Sequence, residues 1–127
     1  MNNYSQKREA ILKALQSTDS HPTAEMLFLT LLKDYPQMGL ATVYRNLKLF
    51  CRNGEAVSVG IINGQERFEA RINQHGHFIC DSCHSIIDVD FKLNFSDIYE
   101  QVTSKLNASI DSHNLNFHGK CQKCTKI

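Results

Sequence analysis

Residues 75–84 read His-Gly-His-Phe-Ile-Cys-Asp-Ser-Cys-His, three histidines and two cysteines in ten positions. A second pair, Cys121 and Cys124, stands near the C-terminus, with 37 residues between Cys83 and Cys121. A Cys-x-x-Cys knuckle lets two thiolates converge on one ion, and two knuckles complete a tetrahedral four-cysteine site. Soft thiolates select zinc over hard cations. Cys80, Cys83, Cys121 and Cys124 are therefore expected to hold one structural Zn2+, pinning the C-terminal tail to the first knuckle. Free buried thiols would explain neither spacing. The total of five cysteines is odd, and in a cytosolic chain paired knuckles argue for metal over disulfides. A thioredoxin-like redox pair would need one Cys-x-x-Cys at a helix start, not two matching pairs. Cys51 stands apart and reads as a small core filler.

With zinc on sulfur, the histidines need another account. His75 and His77 alternate along an extended segment, so both side chains leave one face, as two ligands of one ion must. Imidazole suits Zn, Fe, Mn, Co or Ni, and carboxylates tilt a site toward harder divalent ions; Glu69 and Asp88 are the nearby candidates. Two polar strand residues facing solvent is the competing reading. His21, far away at a helix start, reads alone as a cap or turn residue, and His84, His113 and His118 as surface or supporting residues.

These residues must be positioned by a chain of 127 residues with 42% hydrophobic and 21% charged content, an ordinary globular composition. It can form one domain or two very small ones, and small units need a staple such as a metal or a partner subunit. No apolar run approaches the roughly 20 residues that span a bilayer, and the N-terminus leads into an amphipathic pattern, so the cytoplasm is the default. Net charge is +1. Residues 1–54 carry seven Lys/Arg against four Asp/Glu, a balance of +3; residues 55–127 carry seven against nine, a balance of −2. A mildly basic first half agrees with nucleic-acid binding.

Helical periodicity predicts a helix over 6–16, with Ile11, Leu12 and Leu15 on one face. A second starts near Pro22 and carries Ala24, Leu27, Phe28, Leu31 and Leu32 before Pro36. A third buries Leu40, Val43, Leu47 and Phe50 and ends at Gly54. Then Val57, Val59 and Ile61 alternate up to Asn63-Gly64, a strong hairpin signal, and a second strand runs through Phe68. Three short helices and a two-stranded ribbon are the order of a winged helix-turn-helix. After about residue 71, "HFIC" and "IIDVDF" read as strands around a Cys-containing turn. Phe95, Ile98, Tyr99, Val102 and Leu106 mark an amphipathic helix, and residues 108–119 return to alternation. The fold class is α+β: a winged-helix DNA-binding domain (1–68), a hinge (69–73) and a small α/β metal-binding domain (74–127).

"HPTAEMLF", "LATVYRNLKLF", "ERFE", "HGHFICDSCHSIIDVD" and "CQKC" follow one another in the order and spacing of the ferric uptake regulator (Fur) family of metal-dependent transcriptional repressors, which the chain resembles over nearly its whole length. The resemblance implies that 74–127 is the dimerisation domain of a homodimer on double-stranded DNA with a palindromic operator, with a structural zinc and a regulatory Fe2+ or Mn2+ at the domain junction. Its implied ligands are His21, Glu69, His75, His77 and Asp88, which raises His21 from a turn residue to a ligand. It also implies that Tyr44 and Arg45 contact DNA, Tyr44 through thymine methyls and Arg45 through phosphate or guanine.

Within the family, peroxide sensors use bound iron to oxidise one of their own histidines, here His21 or His75, whereas iron-uptake repressors bind ferrous iron reversibly. Glu69 matches the iron-uptake group; Asp88 and "HPTAE" sit closer to the peroxide sensors. The additional His/acid site of the iron-uptake group falls on Gln74 and Gly76, although His113 matches its further histidine. The reading favoured is the peroxide-sensing (PerR-like) branch, with an iron-responsive repressor as the alternative. The N-terminal stretch Asn3-Tyr4-Ser5-Gln6-Lys7-Arg8 departs from the family, lacking an extra helix and a basic residue for the minor groove. A metal-dependent enzyme finds no nucleophile constellation or phosphate loop in its support, and a zinc-stapled interaction module would leave Tyr44 and Arg45 without a role.

Overall fold

A computed structural model describes residues 3–71, 75–90, 92 and 94–125, with side chains from residue 6 onward. Ile72 and Asn73 of the expected hinge, Gln74, and Phe91 of an expected strand lie outside the described residues. The chain forms two compact units, Met1–Gln74 and His75–Ile127.

The first unit contains α1 (Asn3–Gln16), α2 (Ala24–Leu31), α3 (Leu40–Arg52), β1 (Val57–Ile62) and β2 (Gln65–Glu69). Helical spacing places Ile11 and Leu15 of α1, Leu27 and Leu31 of α2, and Val43, Leu47 and Phe50 of α3 in one core, closed by Met38, Ala56 and Phe68. Each fully buried Leu, Ile or Phe contributes about 1.5–3 kcal/mol, so this unit has a core of its own. Three details differ from the sequence expectations. Pro22 precedes α2 rather than entering it, because Thr23 is the N-cap and accepts a hydrogen bond from the Met26 amide at 3.1 Å. Leu40 is exposed at the first position of α3, and the buried stripe takes in Asn46 instead, whose Nδ2 donates to the Thr42 carbonyl. Ile61 is 75% exposed and Ile62 buried, because a bulge at Val59-Gly60 (Gly60 φ +118°) shifts the ladder from Ser58↔Phe68 to Gly60↔Arg67. One extra residue reverses the faces beyond it.

Turn chemistry holds elsewhere. Gly54 (φ +77°) follows α3, with the Glu55 amide bonded to the Phe50 carbonyl and the Gly54 amide to Cys51, the paired bonds of a Schellman ending. Asn63 (φ +52°) and Gly64 (φ +79°) both take the left-handed conformation that a two-residue type I′ hairpin requires.

The second unit has the sheet order β4-β3-β5: β3 (Gly76–Cys80) is central, antiparallel to β4 (Ile86–Val89) and parallel to β5 (Asn116–Gly119). The crossover to β5 carries α4 (Phe95–Leu106), capped by Asn94, whose side chain accepts from the Ser96 and Asp97 amides. A short helix, α5 (Gln122–Thr125), ends the described chain. The alternation expected over 108–119 becomes strand only at 116–119. Among the described residues of this unit, the only buried hydrophobic side chains are Ile79 and Cys80, and α4 buries none. Ile98, Val102, Leu106 and Phe117 face outward. A unit with so little core must be held by something other than its own packing.

Candidate metal centres and DNA-reading face

The cysteines come together at one end of the second unit's sheet. Cys80 closes β3, Cys83 lies in the turn to β4, Cys121 immediately precedes α5 and Cys124 lies within it, the first turn being set by the Cys124 and Thr125 amides on the Cys121 carbonyl. Parallel pairing of β5 with β3 juxtaposes the knuckles: Cys80 faces Gly119 across the ladder, and the Asp81 amide donates to the Gly119 carbonyl at 2.7 Å. All four sulfurs lie within 4.8 Å of one another. Zn–S bonds of about 2.3 Å put the sulfurs of a regular tetrahedron about 3.8 Å apart, and Cys83 Sγ and Cys121 Sγ are 3.8 Å apart. The donor set fits zinc.

The amides of Cys83 and Cys121 each donate to Cys80 Sγ at 3.4 Å. These bonds bring the Cys80 thiol down to about 5, so it is a thiolate at neutral pH. Hydrogen bonding with Ser85 lowers Cys83 as well. Cys124, beside Cys121 and Cys80, is pushed up to about 12, since a further negative charge among thiolates is opposed until a cation joins them. Zinc binding must then displace the Cys124 proton, and its affinity weakens as pH falls.

The histidines and carboxylates form one cluster in each unit. In the second, His77 on β3 faces Asp88 on β4 in register. Asp88 Oδ1 lies 3.4 Å from His77 Nε2 and 3.3 Å from His75 Nε2, and the two rings meet edge to face at 4.7 Å. In the first unit, His21 Nε2 lies 3.2 Å from Glu69 Oε2. Metal–N and metal–O bonds of about 2.0–2.2 Å place neighbouring ligand atoms roughly 2.8–3.6 Å apart, so each cluster has ligand spacing. His21 takes a left-handed conformation (φ +53°). It is aligned by β2: the Phe68 amide donates to the Pro22 carbonyl at 2.9 Å, and Arg67 Nη1 to the His21 carbonyl at 3.1 Å. Thus Arg67, Phe68 and Glu69 in succession fix the backbone and imidazole of a residue far earlier in the chain. Arg67 went unnoticed in the sequence, because no local pattern connects it with His21.

Tyr44 and Arg45 are exposed on α3, and Tyr44 borders an apolar recess lined by Leu40, Ala41 and Phe68. Lys48, one turn on, escaped the sequence reading although its spacing from Tyr44 places it on the same face. Cys51 packs half-buried against the core, and burial raises its pKa. The remaining histidines have separate settings. His113 is stacked on Phe95 at 4.3 Å with Nδ1 2.6 Å from the Tyr99 hydroxyl; His118 Nδ1 lies 3.5 Å from exposed Asp81; and His84 (φ +63°) sits in the turn after Cys83.

Comparison with known proteins gives this arrangement its context. Residues 2–118 match the model of the ferric uptake regulator family. The chain is 34% identical over 121 residues to the peroxide operon regulator of Bacillus subtilis, covering 94% of this chain and 82% of that one. It is 29% identical to the peroxide-responsive repressor PerR of Staphylococcus aureus, over 93% of this chain and 79% of that one. Among solved structures, the Campylobacter jejuni peroxide stress regulator superposes with a TM-score of 0.76 at 27% identity, covering 95% and 90% of the two chains. The winged-helix order of the first unit, the four-cysteine cluster of the second and a family match across almost all of the sequence lead to one conclusion: this chain belongs to the ferric uptake regulator family.

Proposed function

We propose that the protein is a metal-dependent, DNA-binding transcriptional repressor of the peroxide-responsive kind, acting in the cytoplasm as a homodimer. The observation that carries this reading is the division of His/carboxylate ligands between two units. His21 and Glu69 belong to the DNA-binding unit, and His75, His77 and Asp88 to the other. Two or three ligands alone hold an ion weakly, whereas one Fe2+ or Mn2+ taking ligands from both would restrain one unit against the other. That restraint would favour the arrangement in which two recognition helices of a dimer meet successive major grooves, about one DNA turn apart. Cys80, Cys83, Cys121 and Cys124 would hold the structural Zn2+ throughout. The outward-facing Ile98, Val102 and Leu106 on α4 supply the apolar surface a homodimer would bury. Among the described residues no helix is long and apolar enough to cross a membrane.

On DNA, exposed Tyr44, beside the apolar side chains of Leu40, Ala41 and Phe68, would pack on thymine methyls, and Arg45 would offer its guanidinium to phosphate or guanine. With manganese loaded, selection from random duplex DNA is expected to enrich an inverted repeat. Tyr44→Ala and Arg45→Ala should each weaken binding to it by about 10- to 100-fold, on the scale of 1–3 kcal/mol per specific contact. Normal operator binding by the double variant would remove these residues from the interface.

Bound ferrous iron would supply the redox chemistry that activates peroxide and would be regenerated in the net reaction, the imidazole providing both electrons. The protein's part is to place an imidazole within reach, with the net change of one imidazole C–H to C–O and of H2O2 to water. An oxidised His21 or His75 is a poorer ligand, so the restraint between the units is lost and DNA is released. Peptide mass spectrometry after a brief peroxide pulse should show about 16 Da added to His21 or His75 with iron and none with manganese, the mass of the one oxygen atom that such a step transfers. Unmodified histidines in verified iron-loaded protein would leave a reversible, iron-responsive repressor, to which Glu69 points.

A further inference from the structure

The recognition helix and the wing meet at one carboxylate. Glu66, on β2, accepts from Ser58 Oγ at 2.6 Å and from Lys48 Nζ at 3.2 Å through Oε2, and from the Tyr44 hydroxyl at 3.4 Å through Oε1. Lys48 Nζ also lies 3.5 Å from Oε1 and 6.0 Å from the Tyr44 ring centre. The Glu66 side chain is one-fifth exposed and that of Lys48 two-fifths. Burial alone would raise the Glu66 pKa, but hydrogen bonds from Ser58 and Lys48 and the nearby ammonium bring it below the ordinary value, while the bond to Glu66 raises Lys48. Both are charged at neutral pH.

A carboxylate on a face that meets a polyanion opposes binding, and a wing could be docked on a helix by neutral groups. What this carboxylate does, given these contacts, is occupy the Lys48 ammonium, which stands 6.0 Å from the Tyr44 ring centre on the same helix. Lysine contributes to DNA binding chiefly through phosphate, a contribution blind to sequence. We propose that Glu66 sets the sequence selectivity of the DNA-reading face: it sequesters Lys48 from the phosphate backbone, so that sequence-independent affinity stays low and Tyr44 and Arg45 decide where the protein binds. Glu66 is thus a positioning residue acting through Lys48. This rests on the DNA-binding reading above.

The test uses the manganese-loaded full chain and measures affinity for a selected operator and for unrelated duplex DNA over a range of salt concentrations. Glu66→Gln keeps the shape and the hydrogen bond from Ser58 but removes the charge. It should raise affinity for unrelated DNA about 3- to 10-fold at about 0.1 M salt and lower the ratio of specific to non-specific binding. The slope of log K against log salt should steepen by about 0.9 per chain, the value for one newly engaged phosphate. Adding Lys48→Met to this variant should return the slope to that of the unaltered protein. An unchanged slope and ratio in Glu66→Gln would reduce the carboxylate to a structural staple. Lys48→Met alone covers the case in which Glu66→Gln does not fold. Its slope should equal that of the unaltered protein, and a loss of about 0.9 per chain would show Lys48 already on phosphate and overturn the proposal. Absence of any DNA binding by the unaltered manganese-loaded protein is a different result: it would remove the DNA-binding reading itself, and this proposal with it.

Discussion

Cys80→Ser is expected to abolish zinc binding and to melt the second unit while the first stays folded. Cys80 closes β3, and its sulfur accepts the amides of both Cys83 and Cys121, so it ties the two knuckles together. A serine hydroxyl is a poor ligand for zinc at neutral pH, and three thiolates without it leave an open, labile site. The consequence is large because the second unit has almost nothing else. Among its described residues only Ile79 and Cys80 are buried hydrophobics, and α4 has none. In small metal-stapled units the binding free energy of structural zinc, on the order of 10 kcal/mol, is the folding free energy. The first unit, with its core of Ile11, Leu15, Leu27, Val43, Leu47, Phe50 and Phe68, has no such dependence. Zinc stoichiometry and amide hydrogen exchange would read both effects: one zinc per chain falling to none, and protection lost from β3, β4 and β5 but kept in α1 and α3. Cys51→Ser serves as the control and should retain zinc. A Cys80→Ser protein with a protected second unit would mean that another interaction holds it.

The contrast between what was legible in the sequence and what was not follows from the range of the interactions. Cys-x-x-Cys, Asn63-Gly64 and the Gly54 helix ending are local devices whose residues and geometry sit within a few positions, and each is found as expected. Asn94 likewise caps α4 from the position next to it. The bulge at Val59-Gly60 is a property of two strands together. It places Ile62 rather than Ile61 in the core; Gly60 within Val-Ser-Val-Gly-Ile-Ile is a local sign of a bulge, but the slip itself is defined only against the partner strand. Leu40 looks like the first member of a buried stripe but begins its helix at an exposed position beside a surface recess. The approach of His21 to Glu69 depends on β2 running alongside the residues before α2, so residue types alone left His21 a turn residue until the resemblance to a family supplied its role. Glu66 with Lys48 and Ser58 is the same kind of case: three common surface residue types that acquire meaning only once the wing folds against α3.

Single replacements in either unit, His21→Ala in the first or Asp88→Ala in the second, are expected to abolish the same metal-binding event. If one ion takes ligands from both units, the unaltered protein binds one Mn2+ per chain beyond its zinc. Each replacement should then weaken that binding by at least about 100-fold, since even contacts that merely support a ligand count for 10- to 100-fold. The double variant should lose no further ion, because none is left to lose, and zinc should be retained in all three. Two independent ions give another pattern: two Mn2+ per chain at first, one remaining in each single variant, none in the double. Metal titrations with zinc quantified alongside separate the two, and the second pattern would end the reading in which the ion restrains one unit against the other. The restraint carries a further obligation. An ion that promotes DNA binding by preferring the DNA-competent arrangement must itself bind more tightly once DNA is present, and by the same factor. A gain of about 100-fold in operator affinity on adding Mn2+ therefore requires an equal gain in Mn2+ affinity on adding operator, about 2.7 kcal/mol of coupling. That reciprocal gain should shrink in His21→Ala and in Asp88→Ala alike, because each removes a ligand from one of the two units that the ion would have to join.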